Sequence, residues 1–460
     1  MVRLFRVHVS KSVLALASLD ILILYCSIGL GYAIGYFDFS VAILAVQTQF
    51  GQCTLYVAAI VLSLVMMGMY QRQFIADARV SLLRMLASFA TAVLIMSIVF
   101  YIFTDMRIWM SALLPALVIG IAGVFSARII FVRISGIRAF KRRVLVFGAG
   151  RLAREIETLE ESGGFHCVGF LPIGDREPEI DPSRILPYDT ILMDMVQAHD
   201  ADEIVVALQE RRGWVPSDDL LTCRMQGIQI SDFWTFMERQ KGQVELEELN
   251  PSWIIFSDGF SSRSRLQRFV KRTFDVIVSI VLLLFSMPVT LLAAAAVYLQ
   301  DRGPIFYRQE RIGLYGRSFD LLKFRSMRVD AEKDGVARWA KTNDSRVTPV
   351  GGVIRLTRID EIPQIINVLR GEMSFIGPRP ERPTMVTELI EAIPYYSYRD
   401  TVKPGITGWA QINFHYGASV EDARQKLKFD LFYIKNYSLM LDCLILLQTV
   451  RVVLWPQGVR

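Results

Sequence analysis

Four long apolar runs occupy most of the first 135 residues, and they limit strongly what this chain can fold into. They are Val13–Phe37, Gly51–Tyr70, Leu82–Phe103 and Trp109–Val132. Each is long enough, at 1.5 Å per helical residue, to cross a hydrocarbon core of about 30 Å. The sequence therefore predicts four transmembrane helices, which agrees with a hydrophobic content of 52% over 460 residues.

Basic residues determine the predicted orientation of these helices. They cluster before the first run, between the second and third runs and after the fourth, whereas the other two loops carry only Arg107. Because cytoplasmic loops are enriched in Lys and Arg, we expect the N-terminus and everything after residue 133 in the cytoplasm. Asp20 lies inside the first run, and we expect it to face a partner helix with no other acid or base buried nearby.

The rest of the composition argues against several classes of protein. A formal net charge of +6, from 51 Lys and Arg against 45 Asp and Glu, is not that of a general polycation, so no nucleic-acid partner is expected. The five cysteines are scattered and form no C-x-x-C pair. Neither a disulfide framework nor a zinc site is therefore expected.

Residues 136–260 have the pattern of an α/β domain. A short β-branched run, Val144–Phe147, leads into Gly148–Gly150 and a helical pattern, and Cys167–Leu171 and Glu203–Ala207 predict further strands. This alternation indicates a largely parallel, Rossmann-like sheet. The glycine turn is a G-x-G-x-x-A variant of the dinucleotide fingerprint, but no acidic residue closes the second strand to bind a ribose hydroxyl. We therefore favour a tight structural turn over a nucleotide site.

A fifth apolar run, Val276–Leu299, is interrupted by Pro288 close to Ser286. A proline inside a helix removes a backbone donor and bends the helix, and a nearby hydroxyl can bond a freed carbonyl. Both flanks of the run are basic, so both are expected on the cytoplasmic face. We therefore predict a re-entrant helix over residues 272–299, broken at Ser286 and Pro288, in preference to a kinked fifth crossing.

Residues 301–327 predict a β-hairpin that is rich in basic side chains. Two extended arms, Asp301–Gly313 and Gly316–Met327, flank a glycine-containing turn. The basic residues expected to stand close together there are Arg308, Arg311, Arg317, Lys323 and Arg325. Such a basic surface beside a membrane suits the phosphate of a nucleotide or a lipid, although any single arginine is explained as well by a solvated face.

Two adjacent acids, Asp360 and Glu361, form the sharpest constellation in the chain. Apolar residues at helical spacing follow them, with a proline in the first turn and a glycine at the end, so Asp360 is expected at or near a helix N-cap. Acids commonly cap helices, but paired carboxylates can also share a divalent cation. The presence of Arg355 and Arg379 nearby in the sequence favours a catalytic role for the two acids over a capping role. Guanidinium groups beside carboxylates can hold a diphosphate against a nucleophile.

From Lys271 to Arg460 the sequence resembles the bacterial sugar transferases of the monotopic polyprenyl-phosphate hexose-1-phosphate transferase family. The matching segments are Lys271–Asp275, Gly303–Gly313, Lys323–Met327, Asp360–Gln364, Asn367–Ser374, Gly377–Pro380 and Lys403–Trp409. The order of four apolar runs, an α/β domain and this segment is similar to the large members of the family. The C-terminal end is similar to the exopolysaccharide branch associated with PEP-CTERM systems.

The resemblance implies a membrane protein of three domains. Residues 1–135 would form a four-helix transmembrane bundle, residues 136–260 a Rossmann-like domain, and residues 261–460 an α/β-containing monotopic transferase domain with the re-entrant helix. It also implies a multi-pass protein of the bacterial inner membrane, in contact with membrane lipid, whose active site faces the cytoplasm. Resemblance to the large members implies a homodimer.

The resemblance further implies the reaction and the residues that perform it. A hexose 1-phosphate would pass from a UDP-sugar to undecaprenyl phosphate with release of UMP, as the first membrane step of exopolysaccharide biosynthesis. Asp360 would be the nucleophile of a phosphosugar–aspartyl intermediate, and Glu361 would bind Mg²⁺. The phosphate-binding residues would be Arg355 and Arg379, together with Lys323, Arg325, Arg308 and Arg311 of the hairpin.

Two alternatives belong to other classes of protein. Residues 143–256 could serve a membrane-tethered, NAD-dependent sugar-nucleotide oxidoreductase or dehydratase, but they lack the Tyr-x-x-x-Lys pair that such an enzyme needs. The chain could also be a non-catalytic scaffold for polysaccharide assembly, which would show no turnover with any UDP-sugar.

Overall fold

The computed structural model describes residues 2–4, 7–9, 11–38, 46–70, 78–135, 141–161, 164–173, 178–188, 191–208, 216–246, 260, 264–328, 346–414 and 419–454. The chain divides into two compact units. One comprises Met1–Leu4, His8–Leu64 and Met69–Gly242, and the other comprises Phe5–Val7, Val65–Gly68 and Gln243–Arg460. The predicted domain boundaries border residues 136–140 and 261–263, which lie outside the described segments, so the division into three domains stays a prediction.

Apolar helices dominate the N-terminal part of the chain. The elements there are β1 (Val2–Leu4), β2 (Val7–Val9), α1 (Lys11–Tyr36), α2 (Phe50–Met66), α3 (Ala78–Ile102) and α4 (Met110–Ser135). By length and composition α1, α3 and α4 can each cross a membrane. Helix α2 has 17 residues and spans about 25 Å. It is shorter than the predicted second span because the chain turns at Gly68, whose φ is 71°.

Asp20 of α1 is fully buried and has a buried basic partner, Arg128 of α4. Arg128 Nη2 donates to Asp20 Oδ2 at 2.8 Å and Nη1 donates to Oδ1 at 3.3 Å, while the Tyr70 hydroxyl donates to Oδ2 at 2.8 Å. The expectation that no other acid or base is buried near Asp20 is therefore wrong. Arg128 is 108 residues away in the sequence, so the hydropathy of the first run does not reveal it.

A four-stranded parallel sheet occupies the C-terminal part of the first unit, in the strand order β4-β3-β5-β6. Its elements are β3 (Arg142–Phe147), α5 (Arg151–Glu160), β4 (Phe165–Leu171), α6 (Leu192–Ala198), β5 (Glu203–Val206), α7 (Ser217–Met225), β6 (Gln229–Asp232) and α8 (Phe233–Lys241). Val144 and Val146 pack with α5 and α8, whereas Leu145 and Phe147 pack with α6 and α7. The sheet is parallel, as the alternation of strands and helices predicts.

The glycine turn between β3 and α5 is explained by packing. Gly148 has a φ of 131°, and a Cβ placed there would lie 2.5 Å from the carbonyl oxygen of Ala207, at the end of β5. Only glycine allows the ends of these two neighbouring strands to approach so closely. The turn therefore needs Gly148 for the fold itself, which agrees with the structural interpretation of this motif.

The second unit contains a 37-residue helix, α9 (Arg265–Asp301), which is also long and apolar enough to cross a membrane. Its backbone is helical through Pro288. Ser286 Oγ donates to Leu283 O at 3.5 Å, not to the carbonyl of Leu284 that Pro288 leaves without its usual donor. The predicted break at Ser286 and Pro288 is therefore not evident in the helix and stays a prediction.

After α9 the chain forms a hairpin followed by short helices and strands. These are β7 (Phe306–Ile312), β8 (Ser318–Phe324), α10 (Pro349–Leu356), α11 (Gln364–Arg370), β9 (Ser374–Ile376), α12 (Pro383–Ala392), β10 (Gly405–Thr407), α13 (Trp409–Asn413), α14 (Val420–Lys435) and α15 (Leu439–Leu454). Strands β7 and β8 pair antiparallel, as predicted, and β9 and β10 pair in parallel. The main apolar core of this unit is built from β9, α12, α14 and α15.

Polar side chains near the start of α9 anchor this helix to the rest of its unit. Arg272 Nη1 and Nη2 donate to the carbonyl oxygens of Val368 and Leu369 in α11, at 2.5 and 2.6 Å. Asp275, one turn further on, is buried and accepts a hydrogen bond from the Phe375 amide of β9 at 3.1 Å. The beginning of α9 is thus joined directly to α11, which follows Asp360 and Glu361 in the chain.

Candidate active site

Asp360 and Glu361 lie in a short 3-10 turn, Ile359–Glu361, between α10 and α11. The chain enters this acid turn through Arg358, whose backbone is left-handed with φ 59° and ψ 13°. A non-glycine residue in this region costs free energy, and such residues concentrate at functional sites. The local backbone therefore presents two carboxylates side by side, immediately after a strained arginine.

The helix after the acid turn begins later than the sequence predicts. Pro363 occupies the N-cap of α11, so Asp360, predicted at or near this cap, lies three residues before it. The reason is that Ile362 N bonds to Ile359 O, and this 3-10 bond closes the acids into a separate, tighter turn. The predicted end of the helix is confirmed, since Gly371 is its C-cap with a left-handed φ of 84°.

Three cations surround one oxygen of Glu361. Arg379 Nη2 donates to Glu361 Oε1 at 2.8 Å, Arg358 Nη1 lies 3.5 Å from it and Lys323 Nζ lies 3.7 Å from it. Burial would raise the pKa of Glu361, but Arg379 and Lys323 outweigh that effect and hold the pKa well below its usual range. Burial also lowers the pKa of Lys323, an effect that the charge of Glu361 opposes. The three cations therefore favour the ionised form of Glu361 and balance its charge.

Asp360 lies next to this cluster but forms no hydrogen bond with it. Its side chain is 8% exposed, and Oδ1 is buried with no hydrogen-bond partner among the described residues. Burial, together with the charge of Glu361, raises the pKa of Asp360, and the nearby cations Lys323 and Arg358 oppose the rise. A weakly solvated carboxylate with unengaged lone pairs is well suited to act as a nucleophile.

Lys323 approaches Glu361 because the hairpin is fixed against α11 by one buried amide. Asn367 of α11 is fully buried, its Nδ2 donates to Asp320 O at 2.7 Å, and its Oδ1 accepts from Leu322 N at 3.0 Å. Both contacts are to the backbone of β8, so they fix the position of this strand relative to α11 and the acid turn. The residue that follows Leu322 is Lys323, which is thereby brought to Glu361.

Arg379 approaches Glu361 because two other arginines hold the backbone around it. Arg399 Nη2 donates to the carbonyl oxygen of Arg379 at 2.7 Å, and Arg311 Nη1 donates to that of Pro380 at 2.9 Å. Arg399 is buried and paired with Asp430 at 3.0 Å, so its own position is fixed. The backbone after β9 is therefore held in place by hydrogen bonds to its carbonyl groups. The side chain of Arg379 takes no part in those two bonds and extends to the acid turn.

Arg308 and Arg317 do not join the basic cluster that the sequence predicts. Arg308 pairs with Leu322 across the hairpin, whereas Lys323 pairs with Tyr307, so Arg308 and Lys323 lie on opposite faces. Arg317 precedes β8 at the hairpin turn, and six residues of strand, about 20 Å, separate it from Lys323. The expectation that these basic residues stand close together is therefore wrong for both arginines. A cluster of basic residues in the sequence does not show which face of a strand each side chain occupies, or how far apart along the strand they lie.

Arg311 and Arg325 are engaged by the protein. Besides the bond to Pro380 O, Arg311 donates through Nε and Nη2 to Gln309 Oε1, at 3.1 and 2.6 Å. Arg325 forms an ion pair with Asp301, the last residue of α9. Both side chains hold elements of the fold together, and their predicted contact with substrate stays a prediction.

Arg355 differs from these arginines because its guanidinium is open. It lies in the last turn of α10 and is half-buried, and its side chain forms no hydrogen bond or ion pair with any residue that the structure describes. The acid turn follows directly after α10. Arg355 thus precedes the acid turn by a few residues in the chain, and its guanidinium remains available to an anionic ligand.

Sequence reasoning did not single out Arg358, Asn367 and Arg399, although all three shape this site. Arg358 directly precedes the acid turn, which was a usable signal. Asn367 interrupts an otherwise apolar helix, and this pattern indicates a buried polar contact. Arg399 gives no such signal, because its contact is to the backbone of a residue 20 positions away.

Comparison with known proteins identifies a family for the C-terminal part of the chain. Residues 266–456 match the family model described as bacterial sugar transferase. The matched segment includes the hairpin, the acid turn and the arginines described above.

Three relatives illustrate the similarity. The UDP-N-acetylgalactosamine-undecaprenyl-phosphate N-acetylgalactosaminephosphotransferase of Aeromonas hydrophila is 40% identical over 241 residues, covering 52% of this chain and 56% of the relative. The UDP-glucose:undecaprenyl-phosphate glucose-1-phosphate transferase of Escherichia coli strain K12 is 43% identical over 233 residues, covering 50% and 48%. The undecaprenyl-phosphate galactose phosphotransferase of Salmonella typhimurium is 30% identical over 346 residues, covering 69% of both.

The extent of these matches differs between the relatives. The chain spans about half the length of the Aeromonas and Escherichia proteins, at 56% and 48%, and over two thirds of the Salmonella protein, at 69%. The longer match reaches well beyond the 191 residues of the family model. The chain belongs to the bacterial sugar transferase family.

Proposed function

We propose that this protein transfers a hexose 1-phosphate from a UDP-sugar to undecaprenyl phosphate, releasing UMP, as the first membrane step of exopolysaccharide biosynthesis. The observation that carries the proposal is the acid turn, in which a buried, unpartnered Asp360 adjoins a Glu361 held by three cations. The names of the three relatives support the lipid acceptor, and two of them name a UDP-sugar donor.

In the first step, a carboxylate oxygen of Asp360 attacks the β-phosphorus of the UDP-sugar. The new bond to phosphorus forms as the bond to the bridging oxygen breaks, and the electron pair leaves with UMP. The product is an acyl phosphate that carries the sugar, and such a species is reactive toward a second acceptor. The burial of Asp360 favours this step, because little water must be removed from the carboxylate before it attacks.

In the second step, a phosphate oxygen of undecaprenyl phosphate attacks the same phosphorus. The bond to Asp360 breaks, the carboxylate recovers its electron pair, and a lipid-linked diphosphate sugar leaves. Neither step requires Asp360 to exchange a proton, so the carboxylate needs only to be ionised at the start.

The cations of the site supply electrostatic stabilisation, which is most of what phosphoryl transfer needs from a protein. Arg379, Lys323 and Arg358 are already positioned by Glu361 before substrate binds. Arg355 has an open guanidinium, which can pair with two oxygens of one phosphate. We assign Arg355 and Arg379 to the diphosphate of the donor.

Magnesium is the cofactor that we propose for this site, and the residues present fit it. Among the described residues no group of three or more His, Cys, Asp or Glu side chains could hold a metal on its own. Mg²⁺, however, is usually bound by one or two carboxylates together with substrate phosphates. Glu361 would hold the ion together with phosphate oxygens of the substrate. When bound, Mg²⁺ supplies positive charge that neutralises the phosphates.

The proposal includes the three domains and the membrane topology. Residues 1–135 would form the transmembrane bundle, residues 136–260 a Rossmann-like spacer, and residues 261–460 the transferase domain on the cytoplasmic face of the inner membrane. Helix α9 would bend near Pro288 and return to the face from which it entered. The basic residues on both flanks of the apolar run, and the anchoring of Arg272 and Asp275, support this geometry.

Cysteine labelling tests the topology. Leu266 and Leu299, near the two ends of α9, are 70% and 76% exposed, and each can be replaced by Cys in a variant without native cysteines. A membrane-impermeant reagent should label both from the cytoplasmic side only. Labelling of the two positions from opposite sides would establish a straight crossing instead.

A reconstituted assay tests the activity. The purified protein in vesicles that contain undecaprenyl phosphate should release UMP from at least one of UDP-glucose, UDP-galactose and UDP-N-acetylgalactosamine in the presence of Mg²⁺. Absence of turnover with every donor would favour the scaffold alternative. The names of the relatives give no support to the oxidoreductase alternative. Mass measurement of the solubilised protein tests the proposed homodimer.

A further inference from the structure

Gln364, the first residue of α11, is a buried glutamine whose amide has no partner. It is 2% exposed, its Nε2 is fully buried, and its side chain forms no hydrogen bond with any described residue. A buried donor or acceptor without a partner is destabilising, so native proteins rarely keep one unless a ligand or water completes it. The position of this amide therefore requires an explanation.

No described side chain forms a hydrogen bond with the amide of Gln364, although the acid turn lies just before it in the chain. Asp360 Oδ1 is likewise buried and unpartnered, and it lies four residues earlier in the chain. Side chains in a helix lean toward its N-terminus, so the amide of Gln364 leans back toward the acid turn. A buried donor and a buried acceptor, four residues apart in the chain, thus both lack a partner among the described residues.

The charges of the site explain why a neutral donor is useful at this place. Arg379, Arg358 and Lys323 all converge on Glu361 Oε1, and none forms an ion pair with Asp360. A cation bound directly to Asp360 would weaken it as a nucleophile. An amide N–H can stabilise negative charge on a nearby phosphoryl oxygen and leave the carboxylate fully ionised.

We infer that Gln364 is a further catalytic residue, whose Nε2 donates a hydrogen bond to a non-bridging oxygen of the phosphoryl group that Asp360 accepts. The inference rests on the proposed function. As the bond between Asp360 and the β-phosphorus forms and the bond to UMP breaks, charge on that oxygen is stabilised by the amide. Gln364 transfers no proton, and the phosphoryl oxygen supplies its buried amide with the partner that the described residues do not provide.

A shape-preserving substitution without a donor tests this role. Gln364→Met keeps the length of the side chain and removes an unpaired polar group, so we expect thermal unfolding to be unchanged or to occur at higher temperature. The kcat for UMP release should fall about 100-fold, the usual effect of removing one such donor. Covalent labelling of the enzyme by a donor that carries ³²P in its β-phosphate should be slower by a similar factor.

A matched control is available on another helix. Gln448 of α15 is also a buried glutamine, with an Oε1 that has no partner among the described residues, and it lies outside the acid turn. Gln448→Met should leave kcat within about threefold of the wild type. An equal loss of activity in both variants would overturn the inference, because it would show a general effect of removing buried amides.

Two further outcomes keep the inference distinct from the proposed function. If Gln364→Met does not fold, Gln364→Leu decides, since it also removes the donor and adds no charge. Wild-type kcat in either folded variant overturns the role of Gln364 and leaves the proposed function intact. If the wild-type protein releases no UMP from any donor, the proposed function itself has failed.

Discussion

Asp20 and Asp360 are both buried aspartates, but their surroundings differ completely. Asp20, in the apolar helices, accepts two hydrogen bonds from Arg128 and one from Tyr70. Asp360, in the transferase segment, is surrounded by more cations, yet its Oδ1 accepts no hydrogen bond from any described residue. The charges near Asp360 are instead collected by its neighbour Glu361.

The difference indicates how a buried acid can be interpreted. A carboxylate whose two oxygens both accept hydrogen bonds, from a guanidinium and a hydroxyl, has been compensated by the fold, and it contributes specificity and stability. A carboxylate without hydrogen-bond partners, beside a neighbour whose charge is balanced by cations, can still react with or bind a ligand, because the fold does not use its lone pairs. Burial and charge alone do not separate the two cases, whereas the hydrogen-bond partners do.

The largest expected effect is at Asp360. Asp360→Asn removes the nucleophile and should lower UMP release and covalent labelling about 10⁴-fold or more, with thermal unfolding little changed. The rate of UMP release from a UDP-sugar, measured at steady state, tests this expectation. UMP release at the wild-type rate would show that Asp360 is not the nucleophile and that the comparison with Asp20 fails.

Asp20→Asn should give the opposite result. Breaking one side of a buried ion pair typically costs about 3–5 kcal/mol of unfolding free energy, so we expect a much lower unfolding temperature in detergent. The kcat of the remaining folded protein should not change. The double variant Asp20→Leu with Arg128→Leu removes both charges and should recover most of the stability. Loss of catalysis in a folded Asp20→Asn protein would contradict a purely structural role.

A smaller effect is expected behind Arg379. Arg399→Lys keeps a cation opposite Asp430 but cannot hold all the contacts of the guanidinium, because the guanidinium reaches the Arg379 carbonyl and Asp430 through Nη2 and the Tyr396 hydroxyl through Nη1. We expect the KM for the UDP-sugar to rise about tenfold, with a smaller change in kcat. An unchanged KM in the folded variant would show that the position of Arg379 does not depend on Arg399.

The smallest effect is a shift in the pH profile. Lys323 lowers the pKa of Asp360, while burial and Glu361 raise it. The attacking carboxylate must be ionised, so kcat/KM should fall as the pH decreases through this pKa. Lys323→Met removes a cation and should move that acid limb to higher pH, whereas Lys323→Arg should leave it nearly in place. An unmoved limb in the Met variant would mean that another group governs the profile.

The sequence predicts local features of this protein well. The hairpin arms, the parallel sheet and the glycine that ends α11 follow from short patterns, because each is decided by residues close together in the chain. Gly148 is of the same kind, since a small residue was needed at a strand end, whether for a ligand or for packing.

Long-range contacts could not be predicted in the same way. Glu361 meets Arg379 18 residues away, and Asp20 meets Arg128 108 residues away. Such contacts between residues far apart in the chain depend on strand register and helix packing, which a single sequence does not specify. Arg308 illustrates the problem, because it belongs to a basic motif but its strand position turns it to the other face of the hairpin.

The anchoring of Arg272 has a consequence for how the enzyme responds to its membrane. Arg272 binds two carbonyl groups of α11, and α11 begins three residues after Glu361. A long apolar helix adjusts its tilt to the thickness of the bilayer around it. Any such tilt would pull on α11 through Arg272 and so displace the acid turn. The acyl-chain length of the host lipids is therefore expected to act on the rate of transfer directly, through a mechanical linkage only a few side chains long.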